Sequence, residues 1–433
     1  MLLLMKPMIQ GTEHEYTLYC REMDRLGLDP HVIALDILRE SSLHGAGEFT
    51  RNQSRAYLDC GHLELSTCET SNFCDLLVWE KAGEKIVDWL RKKAEELHCS
   101  PEIKIWAYKN NTSPDGTAYG SHENYCVSRD VIFPERYVRE LVPHLVTRLV
   151  YTGAGDILDG KYVLSPSAYK TGTLVSNDTM HNTGVLNTRD EPHAGAERYR
   201  RLHLQIGDAL LNECAIVLRH FTTSAVLQLM ESGALKNPQP PKLADPVRDM
   251  WNNVEITNPE KWKFELDNGK TATPMDIQQY YLEKTEHLVE TGIEKKAFRM
   301  WDEILELLRK KDGKKLARRV EWLDRYYAIQ EMSDGYIDSE MSMKVCKRYS
   351  ELGEERSIHY MRRRNGLIDR FTEDNVIADA ITHPPSNTRA HARAEICEKH
   401  EILGIEWSRI VVKTRGDTKT IQLEDPYKSS VPK

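Results

Sequence analysis

Two strand-like runs that contain carboxylates constrain the fold more than any other feature. Residues 11–16 and 52–67 alternate as β-strands do, and both runs carry acids within the alternation. Because side chains alternate between the two faces of a strand, Glu13 and Glu15 share a face. Carboxylates about 7 Å apart on one face repel each other unless a positive charge lies between them. A divalent cation such as Mg²⁺ would supply that charge, and a solvated edge strand is the alternative.

The second run adds an arginine and two further acids. Arg55, Tyr57 and Asp59 lie on one face of a predicted strand that turns at residues 60–61, after which Glu64 points away from the core. Arg55 suits a phosphate oxygen, Glu64 suits a metal ion, and Asp59 is free to act as a base or a nucleophile. An ion pair between Arg55 and Asp59 across one strand face explains this run equally well.

Two later segments continue the pattern of polar strand faces. His122 lies on one face of a strand-like run that follows a turn-rich loop. In residues 198–206, Arg201, His203 and Gln205 share one face, and apolar residues occupy the other. This half-basic strand predicts a surface that binds anions, whereas a solvated sheet face is the alternative.

Five separated blocks resemble, in the same order, the family of Pup ligases and Pup deamidase/depupylases, which are relatives of glutamine synthetase and other carboxylate–amine ligases. The blocks are residues 11–16, residues 55–59 with Glu64, residues 109–112 with 121–125, residues 187–193 with 199–203, and residues 384–389. The resemblance implies an α+β fold in which a curved, largely antiparallel sheet packs with helices, as in glutamine synthetase. We expect a catalytic domain over residues 1–362 and a small C-terminal domain over residues 367–433.

The resemblance also implies roles for individual residues. The expected metal ligands are Glu13, Glu15, Tyr57, Glu64 and His122. The expected nucleotide contacts are Arg55, Thr67, Trp407, Arg189, Arg201 and His203. Asp59 matches the catalytic aspartate of the family. Strand parity places Thr67 on the opposite face from Glu64, and Trp407 could instead fill the seam between the domains.

The activity implied by the resemblance depends on ATP (or ADP plus phosphate) and on Mg²⁺. Its expected partner is a small disordered Pup-like modifier, whose C-terminal glutamate side chain is joined to lysines of target proteins, with a functional link to a bacterial proteasome. In the ligase branch, the γ-phosphate of ATP is moved to this carboxylate before a lysine attacks. In the hydrolytic branch, Asp59 attacks or activates water at the amide bond.

Short motifs favour the hydrolytic branch. Residues 11–16, 59–64 and 79–84 and the serine at position 121 resemble the depupylase/deamidase more closely. A long insertion typical of that branch is missing between the first two blocks, and residues 423–426 resemble the ligase. We therefore expect a depupylase or Pup deamidase, with a Pup–protein ligase as the main alternative. A small-molecule glutamate–amine ligase, which would need a closed pocket, and a catalytically silent binding module are further hypotheses.

Composition limits the remaining possibilities. The net charge of −8 argues against general nucleic-acid binding. Nine cysteines without a CxxC pair suit a reducing compartment. The apolar start of the chain is too short for a signal peptide, and no run approaches the length of a membrane span. These features predict a cytoplasmic protein without membrane or nucleic-acid partners.

Overall fold

A largely antiparallel sheet with one polar and one apolar face forms the centre of the molecule. The computed structural model describes residues 4–41, 48–98, 104–113, 116–255, 257–337 and 340–431. Apolar residues on the rear of the sheet, such as Leu65 and Leu204, pack in two cores with helix residues such as Ile86 and Phe221. The polar runs occupy the front of the sheet. The α+β fold class expected from the sequence is confirmed.

The strand boundaries follow the alternating runs. The strands are β1 (Gln10–Tyr19), β2 (Arg55–Asp59), β3 (His62–Ser66), β4 (Trp106–Tyr108), β5 (Ser121–Ser128), β6 (Asp156–Leu158), β7 (Lys161–Val163), β8 (Thr173–Ser176), β9 (Gly184–Asn187), β10 (Tyr199–Leu204), β11 (Phe264–Glu265), β12 (Thr271–Ala272), β13 (Ile402–Ile405), β14 (Arg409–Lys413) and β15 (Thr418–Gln422). The main sheet has the order β2-β3-β1-β5-β10-β9-β8, with β4 also paired to β1. β8 and β9 run parallel, and the other neighbouring pairs run antiparallel.

Helices cover the rear of the sheet and fill the second half of the chain. They are α1 (Arg21–Arg25), α2 (Pro30–Ser41), α3 (Phe73–His98), α4 (Glu135–Glu140), α5 (Val142–Thr147), α6 (Leu149–Thr152), α7 (Pro166–Lys170), α8 (Glu213–Ser232), α9 (Pro246–Val254), α10 (Pro274–Thr285), α11 (Gly292–Lys310), α12 (Gly313–Ala317), α13 (Glu321–Met332), α14 (Glu340–Tyr349), α15 (Ile358–Arg364), α16 (Asp374–Ala380) and α17 (Arg389–Lys399). Short 3₁₀ helices lie at Ala234–Lys236, Pro259–Lys261 and Glu286–Leu288. Among the described helices, none is both long enough and apolar enough to cross a membrane.

Two helices begin or break differently from their sequence predictions. Apolar residues at three- and four-residue spacing in residues 75–97 predict an amphipathic helix capped by Asp75, and this helix is α3. It starts earlier because the side chain of Asn72 accepts hydrogen bonds from two following backbone N–H groups. Asn72 therefore caps this helix in place of Asp75. The sequence of residues 136–151 predicts one helix that ends before Gly153. In the structure this segment is divided into α4, α5 and α6. Pro143, near the start of α5, has no N–H to continue a helical ladder.

One predicted loop contains regular structure. The Pro- and Gly-containing turns of residues 235–272 predict a loop, but within it the chain forms α9 and the hairpin of β11 and β12. The Asp245 side chain accepts a hydrogen bond from the backbone N–H of Arg248, and Pro246 occupies the first turn. Both residues are typical helix-start signals, which the Pro- and Gly-rich turns around them obscured.

A buried network of charges ties the rear of the sheet to two helices. Lys109 Nζ lies 2.7 Å from Glu80 Oε1 and 2.9 Å from Glu84 Oε1, and all three side chains are almost fully buried. Glu80 also contacts Arg219 of α8 and His14 of β1, each at 3.1 Å. Burial alone would raise the pKa of Glu80, but Lys109 and Arg219 hold it well below its usual range. The acids are therefore charged, and their partners fix α3 and α8 behind β1.

The C-terminal strands β13, β14 and β15 form a separate small sheet with its own apolar core. A buried acid connects this part to the main sheet, since Glu69 contacts Arg389 at 2.5 Å and Arg393 at 2.9 Å. Burial raises the pKa of Glu69, but Arg393 and Arg389 lower it to about 2. The boundary expected between residues 362 and 367 stays a prediction.

Removing the central cation of the buried network should destabilise the fold. Lys109→Met leaves Glu80 and Glu84 with fewer counter-charges, so we expect a loss of about 3–5 kcal/mol in the free energy of unfolding. The matched control is Lys104→Met, because Lys104 is 42% exposed and pairs with Glu95 at the surface. The control should cost no more than about 1 kcal/mol. Denaturant titration measures both, and equal stabilities would contradict this role of Lys109.

Candidate active site

The strand registers arrange the polar side chains of the front face in rows. Across four neighbouring strands, Arg55 lies opposite Ser66, Ser66 opposite Glu13, and Glu13 opposite His122. Directly opposed residues in a sheet have side chains that start about 4.5–5.5 Å apart. One row therefore brings together an arginine, a serine, a glutamate and a histidine from distant parts of the sequence.

The adjacent row brings acids together. Tyr57 lies opposite Glu64, and Glu64 lies opposite Glu15. Beyond this row, Asp59 faces His62 where the hairpin of β2 and β3 turns. The residues that strand alternation predicts on one face of the sheet therefore share that face in the structure.

The first cluster of possible metal ligands consists of Glu13, His122 and His203, whose ligand atoms lie within 4.8 Å of one another. Arg201 contacts Glu13 at 2.9 Å. Burial would raise the pKa of Glu13, but Arg201, His203 and His122 lower it to about 2. Burial lowers the pKa of both histidines, which keeps their rings neutral and able to bind a metal.

The second cluster consists of Glu15, Asp59 and Glu64, again with oxygens within 4.8 Å of one another. The pKa of Glu64 is raised well above its usual range by burial and by the charge of Glu13, although the hydroxyl of Tyr57 donates a hydrogen bond to Glu64 at 2.5 Å. Tyr57 thus contacts the cluster as a neutral phenol, because burial and Glu13 raise its own pKa. This hydrogen bond orients Glu64, and the expectation that Tyr57 binds the metal directly stays a prediction.

These clusters fit divalent cations. Within the described part of the chain, neither ring nitrogen of buried His203 has a hydrogen-bond partner. Such a nitrogen is costly to bury unless a ligand satisfies it. Burial and the charges of Glu13, Glu15 and Asp59 raise the pKa of Glu64, which a bound cation would lower. Four of the six possible ligands in the two clusters are carboxylates, whose oxygens suit Mg²⁺ or Mn²⁺.

Gly120 makes the close approach of the two clusters possible. A Cβ atom at this position would lie 2.9 Å from Glu15 Oε1 and 2.9 Å from the ring of His122. Both contacts are shorter than real Cβ contacts, so a side chain here would displace one ligand of each cluster.

The clusters lie in a cleft of about 810 Å³ that extends to Trp407. An adjoining pocket continues past Trp407, Thr67 and Arg201 towards the C-terminal part. Phe49 contacts Trp407 edge-on at 5.1 Å, and the Arg393 guanidinium lies 5.2 Å from its ring centre. Trp407 therefore borders the cavity and also fills a seam between two parts of the chain, and its contact with nucleotide stays a prediction.

The remaining residues expected to contact nucleotide occupy different positions. Arg55 lines the cleft but pairs with Glu48 at 2.6 Å, so the ion pair with Asp59 considered from the sequence does not form. Arg189 is exposed at the edge of the cleft. The hydroxyl of Thr67 accepts a hydrogen bond from the backbone N–H of Thr12, which holds it beside the adjoining pocket.

Asn124 and His62 were not predicted as residues of the site. Asn124 accepts a hydrogen bond from Arg201 at 2.6 Å, and His62 contacts Glu15 at 2.7 Å. His203 joins a possible metal cluster, although we expected it to contact nucleotide. Counting residues across the β2–β3 turn would have placed His62 beside the acids, whereas the grouping of His203 depends on the pairing of β5 with β10.

Known proteins match this chain over almost its whole length. The model of the Pup-ligase protein family matches residues 16–411. The Pup–protein ligases of Geodermatophilus obscurus and Kribbella flavida are each 30% identical, over 98% and 97% of this chain and 97% and 96% of their own lengths. These matches therefore place the chain in a class of nucleotide-dependent enzymes. The chain belongs to the Pup-ligase family.

Solved structures agree with this assignment. The Pup ligase PafA in complex with Pup has a TM-score of 0.86 and 27% identity, over 98% of this chain and 90% of PafA. PafA in complex with ADP has a TM-score of 0.80 and 26% identity, over 94% of this chain and 91% of PafA. The family resemblance read from the sequence is confirmed. The preference for a depupylase is not supported, because it depended on short motifs, whereas the full-length matches are to ligases.

Filling the space at Gly120 should impair metal binding but not folding. Gly120→Ala places a methyl group against the flexible ends of Glu15 and His122, which can move aside without disturbing the backbone. We expect at least a roughly tenfold loss of metal-dependent ADP affinity, with stability within about 1 kcal/mol of wild type.

Gly292→Ala is the matched control for this substitution. No heavy atom lies within 4 Å of the Cβ that alanine would add there. Calorimetric ADP titrations with and without Mg²⁺ compare the two variants. Unchanged metal-dependent affinity in Gly120→Ala would show that Glu15 and His122 do not bind metal.

Proposed function

We propose that this chain is an ATP- and Mg²⁺-dependent Pup–protein ligase. The observation that carries the proposal is the pair of acid and histidine clusters in a cleft that continues to Trp407, in a chain whose full-length relatives are Pup–protein ligases. Its modifier would be a Pup-like protein that ends in glutamate. A functional link to a bacterial proteasome belongs to the same proposal.

In this proposal the two clusters hold Mg²⁺, which neutralises phosphate charge during phosphoryl transfer. Glu13, Glu15 and Glu64 supply carboxylate oxygens, and His122 and His203 supply ring nitrogens. Tyr57 orients Glu64 through the hydrogen bond at 2.5 Å. Arg201 offsets the charge of Glu13 before any nucleotide enters.

The nucleotide would lie along the cleft, with its base beside Trp407. Thr67 borders that pocket, and Arg201 lies where the pocket joins the cleft. Arg55 and Arg189 line other parts of the cleft and can approach phosphate oxygens. Arg55 would first have to leave Glu48, with which it pairs at 2.6 Å.

The reaction joins a glutamate side chain to a lysine amine in two steps. The γ-phosphate of ATP moves to the glutamate carboxylate of the modifier and leaves ADP. The lysine amine then attacks the activated carbonyl carbon, forming the isopeptide bond and releasing phosphate and a proton. Asp59 is exposed at the end of β2 and beside Glu64, so it is placed to accept that proton from the incoming amine.

A direct test follows the bond by gel. The protein with Mg²⁺ and ATP is mixed either with Glu-ended Pup and a lysine-containing acceptor protein, or with a purified Pup conjugate. We expect ATP-dependent conjugation in the first mixture and no loss of conjugate in the second. Conjugate loss alone would support a depupylase, and suppression of conjugation by excess free glutamate would support a small-molecule glutamate–amine ligase.

Substituting the proposed base should separate chemistry from binding. Asp59→Asn keeps the size of the side chain but accepts no proton, so we expect at least about 100-fold slower conjugation with nearly unchanged Mg²⁺-dependent ADP affinity. The matched control is Cys60→Ser, one residue away and exposed, which should stay active because the serine hydroxyl keeps a donor where the Cys60 thiol donates to Asp59. Loss of ADP affinity in Asp59→Asn would make Asp59 a metal ligand instead of a base.

A further inference from the structure

We propose that His62 is a positioning residue that fixes the orientation of Glu15 in the second acid cluster. His62 Nδ1 lies 2.7 Å from Glu15 Oε2, which is a short hydrogen bond. Because a carboxylate only accepts, Nδ1 carries the hydrogen and donates it to Glu15. This inference rests on the proposed function, since it assigns a partner to one of the proposed metal ligands.

The imidazole ring is held in place from two sides. It stacks on Tyr119, with ring centres 4.4 Å apart and planes 28° apart. On another side lies His31, with ring centres 6.0 Å apart. Tyr119 is itself held in place, because its backbone N–H donates to the carbonyl of Asn111 at 2.9 Å. A donor fixed in this way can hold a carboxylate that would otherwise rotate freely.

Because of this hydrogen bond, the two carboxylate oxygens of Glu15 have different neighbours. Oε2 is engaged by His62, while Oε1 lies on the side of Gly120 and His122. Glu15 faces Glu64 across the strands, and repulsion between these acids would otherwise turn Glu15 away. His62 therefore opposes that rotation and keeps Glu15 within 4.8 Å of the oxygens of Asp59 and Glu64.

His62 acts through Glu15 and does not bind metal itself in this proposal. Its Nδ1 is already used, and the described clusters of possible ligands do not include it. Side chains that orient metal-binding carboxylates commonly contribute about 10–100-fold to metal affinity. A packing role against Tyr119 alone would instead contribute to stability and leave metal affinity unchanged.

Two amide substitutions separate these roles. The amide nitrogen of asparagine is as many bonds from the backbone as Nδ1 of histidine. The amide nitrogen of glutamine is one bond further away, as Nε2 of histidine is. We therefore expect His62→Gln to weaken Mn²⁺ binding in the presence of ADP by about 10–100-fold. His62→Asn should stay within about threefold of wild type because it keeps a donor for Glu15.

The measurement is Mn²⁺ titration by electron paramagnetic resonance on the full chain with ADP, together with thermal unfolding of each variant. Conjugation by His62→Gln should also recover at high Mg²⁺, which a folding defect would not allow. The positioning role would be wrong if His62→Gln and His62→Asn bound Mn²⁺ with the same affinity, whether that affinity equalled the wild-type value or was lower. If wild type bound no Mn²⁺ with ADP, the proposed function would fail as well, whereas normal wild-type binding with unaffected variants would overturn only the role of His62.

Discussion

Repulsion among carboxylates on one face of a sheet is the interaction on which the rest of the site depends. Glu13, Glu15 and Glu64 lie on neighbouring strands, and Asp59 stands at the edge. The protein offsets one acid itself, since Arg201 contacts Glu13 at 2.9 Å and helps to lower its pKa to about 2. It leaves the other acids without an equivalent cation among the described residues, and burial together with the charge of Glu13 raises the pKa of Glu64. This imbalance makes the cleft a site for cations and phosphates.

The rear of the sheet supplies the rigidity that such a site needs. Lys109 binds Glu80 and Glu84 of α3, and Arg219 of α8 binds Glu80 from the other side. His14 connects this network to β1, the strand that carries Glu13 and Glu15 on its front face. Buried charges that are paired in this way are costly to rearrange. The front acids therefore stay close together although they repel each other.

Alternation along the chain was sufficient to place the front-face residues, because a strand has only two faces. It placed Arg55, Tyr57 and Asp59 together and set Glu64 apart from its apolar neighbours. It could not show that Arg55 pairs with Glu48, or that His203 joins Glu13, because those contacts depend on pairing between distant segments. Residues 235–272 were wrongly expected to be a loop, since α9 is too short for its periodicity to stand out among turns.

The central claim is that acids from distant segments gather metal ions and a nucleotide in one cleft. Isothermal titration calorimetry of ADP into the full chain, with Mg²⁺ and with a chelator, tests it most directly. The account predicts clear binding with Mg²⁺ that falls at least about tenfold when the metal is removed. Equal ADP affinity with and without metal, or no affinity in either condition, would contradict it.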